Sequence, residues 1–386
     1  MTFAELHAEL QKLKAQGLLR ERRILESAQG AHVRVDGRDY LAFCSNDYLG
    51  LASHPALIDA TCRGAAQYGV GAGASHLIVG HSEAHHKLEG ALAQFLGLPK
   101  ALLFSTGYMA NLGIVSALAA RNDVVLADKL NHASLNDAAL LCRAQFLRYT
   151  HLDLKQLERA LAAARGRRKL VVTDAVFSMD GDIAPVPELL ALCERYDAWL
   201  ILDDAHGFGV LGEAGRGVLE HFGLSDPRII YMATLGKAAG VFGAFVAGAE
   251  PLIEALIQRA RTYIYTTAFP PLLATALLAS LHLFSEEGWR RGRLRELIAY
   301  FKTHLGTARW RLLPSDTPIQ PLVVGDNETA VRLAEALRAR GILVPAIRPP
   351  TVPKGQARLR ISLSAAHSKE DVRRLCEALK DIERTL

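Results

Sequence analysis

The sequence predicts an α/β protein built on a mostly parallel central sheet, with a smaller α+β C-terminal domain. Three observations carry that prediction. Short, continuously apolar runs occur at Ala101 to Phe104, Val124 to Ala127, Leu170 to Thr173, Leu200 to Leu202 and Ile229 to Ala233. Helical patterns at Met109 to Ala120, Leu154 to Ala164 and Pro187 to Tyr196 separate them. Strands that are apolar on both faces and joined by crossover helices form a covered parallel sheet with right-handed connections. Past about residue 284 the pattern becomes sparser, which sets the last hundred or so residues apart as the smaller lobe.

Taken in order, the chain opens with Leu6, Leu10 and Leu13 at helical spacing, an amphipathic helix expected to end near Gly17. Val33 to Val35 and Tyr40 to Phe43 then flank Asp36-Gly37, a two-residue hairpin signal. The apolar run Ala268 to Phe284 is interrupted by Pro270, Pro271, Thr275, Ser280 and His282. It is shorter than the roughly 20 residues needed to cross a bilayer, so it reads as a buried helix. The smaller lobe reads as a helix over Trp289 to Thr307, a strand at Ile319 to Val324 and a helix over Glu328 to Arg340. Single strands at Leu343 to Ile347 and Leu359 to Leu363 follow, and Ser368 with Asp371 caps a last amphipathic helix. The expected division is an N-terminal helical segment over 1–37, a large α/β domain over 38–284 and a small α+β domain over 285–386.

Composition bounds the function. With 386 residues and 50% hydrophobic content the chain can bury a large core. Its 45 Lys plus Arg against 40 Asp plus Glu leave a diffuse +5, with no basic block to suit nucleic acid but a balance compatible with an anionic substrate. Five scattered cysteines without a CxxC pair point to a reduced, cytoplasmic setting rather than a disulfide framework. The charged opening helix is not a secretory leader.

Parallel sheets hold ligands at the carboxyl ends of their strands. Three such ends carry chemistry here. One is the turn Ser105, Thr106, Gly107, Tyr108, where a strand meets a helix whose first amides suit a phosphate. Another is Asp203, Asp204, Ala205, His206 after the strand ending at Leu202; the third is Thr234, Leu235, Gly236, Lys237 after the strand ending at Ala233. A lysine that can hold an aldehyde and a carboxylate that can keep a pyridine protonated are what a pyridoxal phosphate site requires.

Other motifs are weaker. Gly71 to Ser75 lacks the third glycine of a dinucleotide loop and follows a helical stretch, so it reads as an entry loop lining the site. His81 and His85 lie four apart, with Glu83 and His86 nearby, but no third ligand is evident and no metal is expected; a helix start with polar histidines is the reading. His132 follows the strand end at Asp128, where it could stack on a flat ring, but taken singly it reads as a satisfied structural histidine. Arg358 and Arg360 alternate along a strand, with one expected to clamp a carboxylate and the other to face water or a partner.

Together these residues resemble the α-oxoamine synthases of pyridoxal phosphate fold type I, related to the class II aminotransferases. The resemblance runs nearly end to end, through Ser45 to Gly50, Phe177 to Asp182, Asp203 to Gly207 and Thr234 to Lys237. It implies a seven-stranded central sheet, a pyridoxal 5'-phosphate (PLP) cofactor and a homodimer. It makes Lys237 the lysine that holds the cofactor and Asp203 the partner of its pyridine nitrogen, with His132 stacked on the ring; these three are the implied catalytic residues. His206 and Ser178 would contact the phenolic oxygen, while Gly107, Tyr108 and Thr234 hold the cofactor. Thr266 would reach the phosphate from the neighbouring subunit. Asn46 and Arg360 would meet the amino-acid carboxylate, His132 the developing oxyanion, and Thr351 the acyl substrate. Arg20 is the favoured second acyl contact, with Arg22 the alternative. The stretch Arg348, Pro349, Pro350 resembles the branch that condenses L-alanine with a pimeloyl thioester, on coenzyme A or an acyl carrier protein. The alternative is a related branch, such as one joining glycine to acetyl-CoA.

Overall fold

The computed structural model of the chain describes residues 2–16, 18–20 and 22–385. Helix Phe3–Ala15 starts with a capping box between Thr2 and Glu5, and none of its residues is buried. The stop read at Gly17 lies outside the described residues. The Asp36-Gly37 signal forms the turn between β1 (His32–Val35) and β2 (Arg38–Ala42), an antiparallel hairpin. Both turn residues take positive φ, 49° and 77°, as a tight two-residue hairpin demands.

The central sheet consists of β3 (Lys100–Phe104), β4 (Val124–Asp128), β5 (Gln145–Tyr149), β6 (Lys169–Asp174), β7 (Trp199–Asp203), β8 (Ile229–Thr234) and β9 (Ala244–Gly248). Their order is β3-β9-β8-β7-β6-β4-β5, the seven strands that the resemblance implies. β4 to β8 run parallel, and β9 alone is antiparallel to both of its neighbours. Alternate residues feed opposite cores: Leu103, Leu126, Val171 and Leu200 face one side, and Leu102, Val125, Val172 and Ile201 the other. That two-sided burial is why the runs read as uniformly apolar. β5 and β9 are absent from the sequence reading. β5 is an edge strand that buries only Tyr149 fully, so its sequence carries no apolar run.

The run ending at Phe284 folds as helix Pro271–Glu286, packed tightly on helix Pro55–Tyr68. A Cβ at Gly64 would lie 2.1 Å from Thr275 Oγ1, so glycine is required for that approach. No helix among the described residues is long and apolar enough to cross a membrane.

The smaller lobe holds β10 (Arg311–Leu312), β11 (Ile319–Gly325), β12 (Ile342–Leu343), β13 (Ala346–Ile347) and β14 (Ala357–Ser362). A four-stranded sheet runs β10-β11-β14-β13, and helices Trp289–His304, Asn327–Ala339 and Lys369–Thr385 accompany it. The expected single strand over Leu343 to Ile347 is in fact two. β12 pairs in parallel with β2, and β13 pairs antiparallel with β14. Pro345 sits at the break: it has no amide proton to donate, and its carbonyl instead accepts from the Arg360 amide at 3.1 Å. The last helix begins as expected, with Asp371 Oδ2 accepting from the Ser368 amide and hydroxyl.

Candidate active site

The register of the sheet sets the site. Asp174 on β6 lies level with Asp203 on β7, and Asp203 level with Met232 on β8. Beside them helix Gly107–Leu118 begins, capped by Thr106, whose hydroxyl accepts from the Met109 amide at 3.1 Å. A cavity of about 420 Å³ opens over these ends. Lys237, Asp203, His132, His206, Thr234, Ser178, Gly107, Tyr108, Asn46 and Arg360 all line it. Seven chain segments thus converge where the strand-end rule places a ligand.

Asp203 is buried, and Asn111 donates to its Oδ2 at 2.7 Å while the Ala205 amide meets its Oδ1 at 3.1 Å. The Asn111 amide group also donates to Ser134 Oγ at 2.8 Å. Ser134 in turn lies 2.8 Å from His132 Nδ1, and its amide donates to the same nitrogen at 3.3 Å. An Nδ1 that accepts from an amide carries no proton, so the neutral ring holds its proton on Nε2. The His132 amide donates to both Asp174 oxygens, at 3.1 and 3.2 Å. Burial, with the neighbouring Asp203 charge, pushes the Asp174 carboxyl well above the usual range.

Lys237 Nζ donates to Thr234 Oγ1 at 3.1 Å. Burial pulls its pKa down, against the opposing pull of the Asp203 and Asp174 charges. His206 is driven well below its ordinary value by burial and by the Lys237 and Arg360 charges, so it is a neutral ring; its Nδ1 lies 2.7 Å from Tyr48 Oη. Asp204 points away into the core. It accepts from the Val218 amide at 2.7 Å and from Tyr231 Oη at 2.8 Å, and burial raises it to about 7.

Arg358 and Arg360 differ from the expectation that one of them faces water or a partner. Both are buried, because residues two apart on a strand share a face. Both grip the segment after β6: Arg360 Nε donates to Ser178 O at 2.5 Å, and Arg358 pairs with Asp180 at 2.7 Å. Arg360 also reaches Asn46 Oδ1 at 3.2 Å and Ser362 Oγ at 2.8 Å.

Several expected residues stand apart. Thr266 is half-buried and outside the cavity lining, and Thr351 is exposed and outside it as well. The loop Gly71 to Ser75 does not line the cavity either; Ala74 O accepts from the Ala268 amide at 3.0 Å. Arg20 lines a second cavity of about 720 Å³ with Lys14, Arg23, Arg338 and Arg348. The two cavities share Pro345, and Arg22 is not among the lining residues of the second. Asn111, Ser134 and Asp174 are absent from the sequence reading. Asp174 ends an apolar run as Asp203 does, so its signal was present, whereas Asn111 lies inside a helix whose apolar pattern does not single it out.

The donors fit a phosphorylated pyridine aldehyde. The helix start at Gly107 presents amides for an anion, and a Cβ at Gly107 would lie 2.6 Å from Thr234 Cγ2. A buried carboxylate held by Asn111 and a buried amine complete the set.

Comparison with known proteins agrees. The family described as aminotransferase class I and II matches residues 38–379. The chain is 67% identical over 369 residues to the 8-amino-7-oxononanoate synthase of Nitrosospira multiformis, covering 96% of this chain and 93% of that protein. It is 64% identical over 383 residues to that of Nitrosomonas europaea, covering 98% and 99%. Among solved structures, Sphingomonas wittichii serine palmitoyltransferase matches with a TM-score of 0.92 at 31% identity over 99% of this chain and 97% of that one. An SPT structure with PLP matches at 0.91 and 31%, covering 99% and 98%. The 8-amino-7-oxononanoate synthase of Francisella tularensis matches at 0.78 and 34%, covering 90% and 98%.

Proposed function

The chain belongs to the aminotransferase class I and II family and, within it, to the 8-amino-7-oxononanoate synthases, and from that premise we propose how its cavity works. The reaction is the decarboxylative condensation of L-alanine with a pimeloyl thioester, a step of biotin biosynthesis. Alanine loses its carboxyl group as carbon dioxide, its Cα bonds to the acyl carbon, and the carrier leaves as a free thiol. PLP bound in the cavity supplies an aldehyde for the amino group and a protonated ring that accepts the Cα electron pair.

The chain supplies the rest. Lys237 holds the cofactor between turnovers and then, as a neutral amine, takes the Cα proton; its lowered pKa supports that role. Asp203 keeps the proton on the pyridine nitrogen. His132 covers the ring, and its Nε2 proton donates to the oxyanion that forms on the acyl carbon. Arg360 and Asn46 hold the alanine carboxylate, His206 and Ser178 orient the phenolic oxygen, and Gly107, Tyr108 and Thr234 seat the phosphate end. The acyl chain runs into the second cavity, toward Arg20 and the segment that carries Thr351. Its basic lining, with Lys14, Arg23 and Arg338, suits an anionic carrier, whether coenzyme A or an acyl carrier protein.

The enzyme works as a homodimer in which Thr266 serves the cofactor phosphate of a second copy. Its position outside the lining of its own cavity supports this, as do the exposed Leu77, Ile78, Val79 and Tyr265. The observation that carries the reading is the meeting of Lys237, Asp203, His132 and Arg360 in one cavity. The deciding experiment is a product assay of the PLP-loaded enzyme with alanine and pimeloyl thioester against glycine and acetyl-CoA. Faster turnover of the second pair would move the chain to another branch.

A further inference from the structure

Away from the cavity, five side chains with ligating atoms crowd the start of helix Glu83–Leu96: His76, His81, His85, His86 and Glu89. By spacing alone, His81 and His85 look like a pair without a third ligand. The fold separates them. His85 is committed at both nitrogens, with Nδ1 accepting from the Ser82 amide at 3.1 Å and Nε2 donating to Phe269 O at 2.8 Å. No lone pair is left on it for an ion. His81 is differently placed: its Nδ1 meets His76 Nδ1 at 3.0 Å, and its Nε2 lies 3.8 Å from Glu89 Oε2. His86 stands one helical turn before Glu89, and the ligating atoms of His81, His86 and Glu89 all lie within 4.8 Å of one another.

The geometry points to a divalent transition-metal site of the zinc class formed by His81, His86 and Glu89, with its remaining coordination positions open to solvent. Two imidazoles and a carboxylate are a zinc donor set, and bond lengths of about 2.0–2.2 Å place tetrahedral ligands roughly 3.3 Å apart. The His81 to Glu89 gap therefore closes by about half an ångström, and His86, exposed on the helix surface, is free to swing in. Outer contacts already orient the set. With the proton of the His76 to His81 bond on His81 Nδ1, the Nε2 lone pair faces Glu89. The Leu103 amide holds Glu89 Oε1 at 2.9 Å, leaving Oε2 for the ion. His76 is itself fixed by stacking on Tyr263, with ring centroids 4.9 Å apart. A bound dication would tie the end of the turn His76–Gly80 to the following helix. None of the three ligands lines the Lys237 cavity of its own chain, and the ion's role there is that of a structural staple.

The test uses full-length holoenzyme without a polyhistidine tag, stripped with a chelator and titrated with Zn²⁺ by calorimetry and with Co²⁺ by visible spectroscopy. One ion per chain should bind, and the thermal midpoint should rise with Zn²⁺ concentration. His86→Ala and Glu89→Gln should each weaken binding by about tenfold or more, and His76→Asn should weaken it through His81. His86 is exposed, so its variant should fold and keep basal condensation activity. Absence of saturable binding to the wild type, or equal binding by His86→Ala, would overturn the site.

Discussion

Asn111 Nδ2 donates to Asp203 Oδ2 at 2.7 Å, and the same amide group reaches Ser134 Oγ at 2.8 Å. One buried side chain thus spends its donors on both sides of the ring site. It holds the acid proposed to meet the pyridine nitrogen and, through Ser134, the histidine proposed to cover the ring. Asn111→Ala should release both. The expected result is a kcat lower by about ten- to hundredfold with a smaller change in the KM for alanine, because the lost contact orients groups that touch the reacting atoms. Asn111→Ser keeps one donor and should recover part of the rate. Equal kcat in wild type and Asn111→Ala would remove Asn111 from the machinery.

Lys237 has two proposed tasks, and one variant removes both. Lys237→Ala should leave the chain folded, since Nζ makes only a hydrogen bond to Thr234. Condensation should fall by at least about 10²–10⁴-fold, the span a positioned base contributes. After borohydride treatment, mass spectrometry should find the cofactor fixed to Lys237 of the wild type and to no site in the variant. Cofactor fixed equally to the variant chain would refute the assignment.

Legibility in the sequence followed burial only in part, since β9 is buried throughout but its alanines and glycine did not mark it as a strand. Strands covered on both faces, such as β6 and β7, announce themselves as apolar runs, whereas the edge strand β5 has no such run to show. Lys237 and Asp203 were legible because each follows an apolar strand, where the strand-end rule looks. Arg358 was misplaced because a charge pattern does not reveal that Asp180, far away in sequence, waits to pair with it. Asn111 was hidden inside a helix whose apolar pattern gives no reason to single out one amide. The metal candidate escaped for a similar reason: spacing paired His81 with His85, and only the fold shows that His85 is already occupied.

Arg360 holds Ser178 O, Asn46 Oδ1 and Ser362 Oγ at once, so its guanidinium plane is set before any substrate arrives. Lysine can replace the charge but not the planar fork. Arg360→Lys should therefore raise the KM for alanine by about tenfold or more, with a smaller loss in kcat. An unchanged KM in steady-state assays would place the alanine carboxylate elsewhere.

His151 joins two segments that carry site residues, and this makes part of the stability depend on pH. Its Nδ1 lies 3.0 Å from Asp128, at the start of the turn leading to His132, and its Nε2 lies 2.8 Å from Asp182, in the segment leading from Ser178. Burial pulls the ring pKa down, but the bonds and charges of the two carboxylates outweigh it and raise the value to about 10. The folded state thus binds this proton more tightly than the unfolded chain, whose histidine titrates near about 6.5. The stabilisation is complete below that pH and is lost as pH rises toward and through about 10. His151→Gln can keep hydrogen bonds but holds no charge. Urea unfolding at a series of pH values from 6 to above 10 should show the wild type more stable by about 1–3 kcal/mol at the acid end. That advantage should shrink steadily as pH rises. A gap between the two proteins that stays constant with pH would mean that His151 contributes packing alone, such as its edge contact with Phe177, and not a shared proton.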